Sequence, residues 1–301
     1  MRIAVGLDIA DSIETTLARA HDLHGLGVRS LWSSQIFGPD TLTVLAIVGR
    51  ELPDVDLGTA VVPVQPRHPA VLAAQARTVQ EAIGGTLTLG VGLSHQVVVE
   101  GLWGLTFERP AHYMHEYLNA LAPLLRGEPV TSSGEMVSVT ATGALGPRDV
   151  RAPGLVVAAL GERMLRLAGS LADGTVLWMT GRRTIETHIA PVLRAAADEA
   201  GRPEPRVVCS LPVCVTDDPA RAAELIDRQF AIYPTLPSYA AMLEREGAAT
   251  ASDIAVVGSS EQVRDELGRL AAAGVTEFSA VVVGDRDERV ATTALVASMA
   301  S

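Results

Sequence analysis

Lysine is absent from the 301-residue chain, and all 24 of its basic residues are arginine. Schiff-base catalysis needs a lysine amine, so this class of covalent chemistry is excluded. Cysteine is scarce: the chain has only Cys209 and Cys214, an odd number of positions apart in a segment with a strand pattern. Their side chains should point to opposite faces of that strand, so we expect no disulfide between them and a reducing, cytoplasmic compartment.

Positive charge is also in short supply, because 35 acidic residues outnumber the 24 arginines and leave a formal net charge of −11. Such a chain is a poor partner for nucleic acid or for an anionic membrane surface. Its apolar runs are too short to span a bilayer, and its first residues lack the long uncharged core of a signal peptide. We therefore expect a small-molecule substrate and no nucleic-acid or membrane partner.

Aromatic residues make up only 4% of the chain, whereas 48% of its residues are hydrophobic. Short, nearly continuous apolar runs alternate with amphipathic helical stretches, a pattern typical of parallel strands covered on both faces. The predicted strands are Arg2–Leu7, Ser30–Trp32, Asp56–Val62, Thr86–Val91, Gly154–Ala159, Thr175–Met179, Arg206–Val215 and Glu277–Val283.

Eight such β/α units, with insertions near 127–152 and 233–255, predict an α/β fold of the (β/α)8 TIM-barrel type. An open doubly wound sheet would give the same local pattern and is the alternative. No change of composition marks a linker, so we expect one domain over residues 1–301.

Reactive groups are few where this fold places function, in the loops after the strand carboxyl ends. The sequence contains no nucleophile elbow, no phosphate-binding Walker loop and no G-x-G-x-x-G dinucleotide fingerprint. Two histidines beside an acid, His112 and His115 with Glu116, lack a third ligand of matching spacing, so we expect no metal. A site of this kind is typical of chemistry carried by a bound cofactor.

Two glycine-containing loops are candidate cofactor cradles. Gly161 lies at a strand-to-helix turn, where free amides and the helix dipole attract phosphate and Arg163 would add charge; an ordinary tight loop would look the same. Gly90 and Gly92 end the fourth strand and would let a flat ligand approach the backbone, but a β-bulge or close packing would also explain them. His95 comes directly after the fourth strand. It is either a residue that contacts a ligand or transfers a proton, or a loop histidine without function.

Several motifs in order resemble the luciferase-like monooxygenase superfamily, in particular its coenzyme F420-dependent branch from actinobacteria. They are Ser30-Leu31-Trp32-Ser33-Ser34-Gln35-Ile36-Phe37, Leu57-Gly58-Thr59-Ala60-Val61, Arg67-His68-Pro69-Ala70, Leu87-Thr88-Leu89-Gly90-Val91-Gly92, Glu108-Arg109-Pro110, Glu116-Tyr117-Leu118, Gly161-Glu162-Arg163-Met164, Ala168-Gly169 and Ala172-Asp173-Gly174.

The resemblance implies a barrel that binds a deazaflavin (coenzyme F420) or a flavin (FMN) at the strand carboxyl ends, and a homodimer. It places a non-prolyl cis peptide, here Ala60–Val61, behind the ring of the cofactor, and the phosphate tail against the backbone of residues 160–163. The implied cofactor-binding residues are Ala60, Val61, Pro63, Gly92, Ser94, Ala159, Leu160, Gly161, Glu162 and Arg163.

Two departures from the family pattern concern proton transfer. Sugar-phosphate dehydrogenases of the family carry an Asp-His pair where this chain has Gln35 and Ile36, and a Glu where it has His95. Glucose-phosphate oxidation is therefore not expected, and we assign His95 as proton donor and Gln35 as a polar contact to ring or substrate. The expected activity is hydride transfer between F420 and a small organic substrate; the alternatives are an FMN-dependent monooxygenase and a non-catalytic cofactor-binding barrel.

Overall fold

The computed structural model describes residues 1–9, 12–35, 37–143 and 145–300. The strands within these ranges are β1 Arg2–Gly6, β2 Ser30–Ser33, β3 Asp56–Thr59, β4 Val62–Pro63, β5 Leu87–Gly92, β6 Val130–Ser133, β7 Ser138–Ala141, β8 Gly154–Ala158, β9 Gly174–Trp178, β10 Arg206–Val215, β11 Val256–Gly258 and β12 Glu277–Val282. The helices are α1 Ile13–Gly25, α2 Thr41–Glu51, α3 Pro69–Ala82, α4 Gln96–Gly101, α5 Pro110–Leu125, α6 Glu162–Leu171, α7 Arg182–Thr184, α8 Ala190–Glu199, α9 Pro219–Gln229, α10 Pro237–Glu246, α11 Ser260–Ala272 and α12 Arg286–Ser298.

Eight parallel strands close into a barrel in the order β1-β2-β3-β5-β8-β9-β10-β12. The ring closes where β12 pairs with β1, with Glu277 opposite Arg2, and β10 joins β9 to β12. The predicted (β/α)8 TIM barrel is therefore confirmed, and the open sheet is excluded because the first and last strands are neighbours. No helix in the described part of the chain combines the length and apolar character needed to cross a bilayer.

Two strands differ from the prediction. The third strand is interrupted after Thr59 by the Ala60–Val61 peptide, which is cis, and resumes as β4. A short strand, β11, extends along the carboxyl half of β10 and was missed because three residues are too few to show a period. The first insertion contains the antiparallel β6–β7 hairpin and the second contains α10.

A polar network fills the amino-terminal end of the barrel. The Glu277 carboxylate is buried and accepts hydrogen bonds from Ser30 Oγ at 2.8 Å, Trp32 Nε1 at 2.8 Å and Arg206 at 2.7 Å. Arg206 also donates to Thr88 Oγ1 at 3.1 Å. These partners satisfy the buried charge, so this end of the barrel is occupied by a structural network. In this fold, ligands bind at the opposite end, where the strands have their carboxyl ends.

Above this network an apolar layer fills the barrel, and it includes Trp32 from β2 and Val156 from β8. Side chains alternate along a strand, so every second residue points inward. The indole of Trp32 occupies the space left by Gly58, where a Cβ would lie 2.4 Å from the ring. The larger core lies between the strands and the surrounding helices.

Candidate functional site

The carboxyl-terminal end of the barrel is lined mostly by small residues. The inward positions of the strands at this level are occupied by Gly6, Ser34, Ala60, Gly92, Ala158, Trp178, Ser210 and Val281. Ala60, Val61 and Ala158 pack on the apolar layer below but are themselves only partly buried. They form an uncovered apolar surface, which we call the floor, of the kind on which a flat ligand packs.

The cis peptide expected between Ala60 and Val61 is present and lies in this floor. The neighbouring β2 strand holds its backbone, because the Ala60 N–H donates to Ser33 O at 2.8 Å and the Gln35 N–H donates to Val61 O at 3.2 Å. Ser34 Oγ adds a hydrogen bond to Ala60 O at 2.6 Å. The backbone of the floor at Ala60 and Val61 is therefore fixed by hydrogen bonds to β2 and to the two residues that follow it.

Close packing explains the two glycines of β5. A Cβ on Gly90 would lie 1.8 Å from the carbonyl oxygen of Thr59, and one on Gly92 would lie 2.7 Å from Val61 and 3.0 Å from Ala158. The packing alternative therefore accounts for both positions, and contact of Gly92 with a cofactor stays a prediction.

The turn before α6 is exposed and uncapped. Gly161 is the N-cap residue with φ −81° and ψ 154°, and α6 receives no side-chain capping bond. A depression of about 520 Å³ here is lined by Gly161, Glu162, Arg163, Met164 and Arg166. The first amides of a helix lack partners within it, so this turn is suited to hold an anionic group.

Of the other residues predicted to bind the cofactor, two are half-buried and two are buried. Leu160 is half-buried, and its carbonyl accepts a hydrogen bond from His188 Nε2 at 2.9 Å, which fixes the turn. Ser94 is half-buried, and its N–H donates to Gln65 Oε1 at 3.2 Å. Pro63 and Ala159 are buried, so their side chains lie behind the surface that a ligand would meet.

His95 follows the carboxyl end of β5 as the N-cap residue of α4, and its side chain makes no capping hydrogen bond to that helix. Its imidazole has no hydrogen-bond partner among the described residues, and burial lowers its pKa below the usual value of 6.5. At neutral pH the ring is therefore uncharged. The neutral imidazole is the form that accepts a proton, and the role of His95 as proton donor stays a prediction.

Gln35 has structural partners instead of an open amide. Its Oε1 accepts the Thr41 N–H at 2.8 Å, and its Nε2 donates to Pro39 O at 3.4 Å. These bonds hold the loop that leads into α2 and occupy one N–H and one lone pair of the amide, so the predicted contact of Gln35 to ring or substrate stays a prediction. Ile36, the other position of the family's Asp-His pair, lies outside the described residues.

The sequence interpretation missed a row of aromatic side chains beside His95. The Tyr233 ring lies 5.7 Å from Trp178 and 5.0 Å from Tyr239, and Tyr239 lies 6.1 Å from His95. Phe230 packs on Trp178 at 5.3 Å. Trp178, Phe230, Tyr233 and Tyr239 form what we call the aromatic wall; the concentration of aromatics near 230–239, in a chain with 4% aromatic residues, was the available signal.

The remaining candidates have local partners. The His112 imidazole lies 3.0 Å from Glu116, and Glu116 accepts the backbone N–H groups of Glu135, Met136 and Val137 in the hairpin. No group of three or more potential metal ligands occurs in the part of the chain that the structure describes. Cys209 and Cys214 are both buried and unpaired.

Comparison with known proteins gives consistent matches. The profile of the luciferase-like monooxygenase family matches residues 3–277. A Mycobacterium tuberculosis protein, provisionally named a coenzyme F420-dependent oxidoreductase, is 29% identical over 280 residues, which cover 86% of this chain and 77% of that protein.

Solved structures share the fold. The coenzyme F420-dependent tetrahydromethanopterin reductase of Methanopyrus kandleri matches with a TM-score of 0.82 at 21% identity, covering 99% of this chain and 97% of the other. The FMN complex of the oxygenating constituent of 3,6-diketocamphane monooxygenase from Pseudomonas putida has a TM-score of 0.76 at 17% identity, covering 100% and 98%. At these identities the two structures establish the fold alone.

Proposed function

The chain belongs to the luciferase-like monooxygenase family, and we propose that it is a coenzyme F420-dependent oxidoreductase that transfers a hydride between the deazaflavin and a small organic substrate. The observation that carries this proposal is the uncovered apolar floor around the cis Ala60–Val61 peptide. The similarity to a mycobacterial protein named for coenzyme F420 supports the choice of cofactor.

The residues present fit a planar cofactor with an anionic tail. Ala60, Val61 and Ala158 offer a flat apolar surface without a charged group in it, which suits a fused ring. The free amides at Gly161 and the exposed Arg163 suit a phosphate. The two features lie at the same end of the barrel, because both follow strand carboxyl ends.

The protein contributes mainly position and exclusion of water. When bound, the deazaflavin would supply the hydride chemistry. The floor would support its ring from below, the amides after Leu160 would hold its tail, and the aromatic wall would keep water from the reacting face. His95, uncharged at neutral pH, would exchange the proton that accompanies the hydride.

An FMN-dependent monooxygenase is the second candidate, because a structure with this fold holds FMN. The two are separated by titrating deazaflavin and FMN separately and following cofactor fluorescence, and by measuring oxygen consumption with reduced cofactor and substrate. We expect tighter binding of the deazaflavin and no oxygen uptake. Equal affinity for FMN together with oxygen consumption would favour the monooxygenase, and binding without turnover over a broad substrate panel would favour a cofactor-binding protein.

We also propose a homodimer in the cytoplasm. The family resemblance supports the dimer, and the two unpaired cysteines suit a reducing compartment. Light scattering coupled to size-exclusion chromatography would measure the mass directly, and a mass near 31.5 kDa would contradict the dimer.

A further inference from the structure

The exposed turn before α6 is held by a histidine that the proposed mechanism does not use. His188 is half-buried, and its Nε2 lies 2.9 Å from the carbonyl oxygen of Leu160. A carbonyl oxygen can only accept a hydrogen bond, so Nε2 carries the proton and donates it. Leu160 directly precedes Gly161 at the start of α6. His188 therefore acts on the peptide unit that carries the Gly161 amide.

The direction of the Gly161 N–H follows from this bond. The Leu160–Gly161 peptide is trans, since Ala60–Val61 is the one cis bond in the described part of the chain. The C=O and the N–H of a planar trans peptide point in opposite directions, so the Gly161 N–H points away from His188. Gly161 is exposed, and no described residue accepts its N–H. This amide is therefore open to an acceptor on a ligand.

The depression beside the turn contains a positive charge as well as this amide. Arg163 is exposed and has no ion-pair partner among the described residues, whereas the Glu162 carboxylate lies 3.4 Å from Arg166. His188 does not line the depression, which is formed by Gly161, Glu162, Arg163, Met164 and Arg166. An anionic ligand would thus meet the amide and the guanidinium, while His188 supports the turn from outside the depression.

His188 projects from an irregular turn of its helix. Residues Ile185–Ile189 form a π-helical turn between α7 and α8. Such turns are rare and frequently occur at functional sites. Ile185 and Ile189 are both fully buried, which fixes the turn in the core. The π turn therefore presents His188 to Leu160 from a fixed position.

Other contacts hold α6 against α8 without His188. A Cβ on Gly169 would lie 2.4 Å from the carbonyl oxygen of Leu193, so the two backbones are in close contact. The Arg166 guanidinium also lies 3.2 Å from the Glu199 carboxylate. Loss of the His188 hydrogen bond should therefore leave the helix pair in place and release only the turn before α6.

We propose that His188 is a positioning residue for the phosphate ester of the cofactor tail. Its Nε2–H holds the Leu160 carbonyl, and the Gly161 N–H is thereby kept in the direction in which it donates to a phosphate oxygen. Without this bond the peptide can rotate, and ordering it again on binding costs affinity. Because the bond acts on the amide of the turn, its loss weakens binding of the phosphate and leaves binding of the ring unchanged. This assignment rests on the proposed function.

The test compares His188→Leu, which removes the donor, with His188→Gln, whose side-chain amide can donate to the same carbonyl. His21→Leu is the matched control, because His21 also bonds to a neighbouring element, to Glu51 at 2.9 Å, but lies on α1. Each protein is titrated with coenzyme F420 and with the ribityl deazaflavin that lacks the phosphate tail, and cofactor fluorescence gives the affinities. In separate samples without cofactor, inorganic phosphate is titrated and the Gly161 amide resonance is followed by NMR.

In wild type and His21→Leu we expect F420 to bind more tightly than the phosphate-free deazaflavin, and inorganic phosphate to shift the Gly161 signal. His188→Leu should bind F420 ~5–10-fold more weakly, as for one lost hydrogen bond, with its affinity for the phosphate-free deazaflavin within about two-fold of wild type. His188→Gln should recover F420 affinity to within ~3-fold of wild type.

An equal loss of affinity for both ligands in His188→Leu, or no loss for F420, would overturn the assignment. So would a wild-type Gly161 signal that inorganic phosphate does not move, and this result needs no variant, so it decides the matter even if His188→Leu does not fold. Failure of the wild type to bind either deazaflavin would instead refute the proposed function. Because the phosphate titration contains no cofactor, the two failures are distinguishable.

Discussion

Replacing Gly161 by aspartate should change stability and cofactor affinity in opposite directions. Gly161 is the N-cap of α6 with an extended backbone that any residue adopts, and a Cβ there meets nothing within 4 Å. An aspartate would fit without strain, cap the helix by a few tenths of a kcal/mol relative to glycine, interact with the helix dipole by ~0.5 kcal/mol and restrict the unfolded chain by ~0.5 kcal/mol. The sum is about 1 kcal/mol of added stability, or roughly 1–2 °C in melting temperature for a chain of this length.

The same carboxylate would compete with the phosphate for the free amides and repel it. Two unit charges about 5 Å apart at an effective dielectric constant of about 20 interact by ~3 kcal/mol. Solvent screening at this exposed turn reduces that value, so we expect a loss of ~30–100-fold in deazaflavin affinity. Thermal unfolding without cofactor and fluorescence titration measure the two effects.

Two further variants separate charge from capping. Gly161→Asn also caps the helix but carries no charge, so its affinity should lie between those of Gly161→Asp and wild type. Gly161→Ala offers no competing acceptor and should bind within a few-fold of wild type. If Gly161→Asp binds deazaflavin as tightly as the wild type, the tail lies elsewhere; if it melts at a lower temperature, our account of the turn is wrong.

The remaining predictions concern proton transfer and packing. His95→Ala should keep deazaflavin affinity within a few-fold and lower turnover by ~10²-fold, and unchanged turnover would remove His95 from the mechanism. If His95 accepts the proton, hydride transfer to oxidised deazaflavin should speed up as pH rises through its lowered pKa, below 6.5, and level off by neutrality; a pH–rate profile flat down to pH 5 would contradict this. Gly90→Ala would place a Cβ 1.8 Å from Thr59 O and should cost at least ~3 kcal/mol of unfolding free energy. Gly268→Ala, exposed within α11 with open space around it, should instead add up to ~1 kcal/mol; urea denaturation compares the two, and similar values would refute the packing argument.

Features that depend on neighbouring residues were predictable from the sequence. The eight apolar runs and the helices between them follow from local periodicity, so the barrel strands were located to within a residue or two at most ends. The cis peptide was placed at Ala60–Val61 because the motif around it resembles a family in which that bond is cis. The exposed turn at Gly161 was recognisable because a glycine between a strand and a helix leaves amides free.

Features that depend on contacts between distant segments could not be predicted from the sequence. The sequence left open whether Gly90 and Gly92 serve a ligand or packing, because the answer lies in where Thr59 and Val61 pass. The aromatic wall was also not predicted, because Trp178 and Tyr233 are 55 positions apart and only the folded chain brings their rings to 5.7 Å.

The composition and periodicity of the chain by themselves determined alternating strands and helices of an α/β fold with no lysine chemistry, because these patterns are encoded in contiguous residues. Closure into a barrel was decided by the pairing of β1 with β12, which joins the two ends of the chain. Only the tertiary structure decided that the His95 imidazole has no hydrogen-bond partner among the described residues, that burial lowers its pKa and that its ring lies 6.1 Å from that of Tyr239. The pKa of a histidine depends on the burial and the neighbouring groups that folding creates. For His95 the neighbouring ring is that of Tyr239, which comes from an insertion far along the chain.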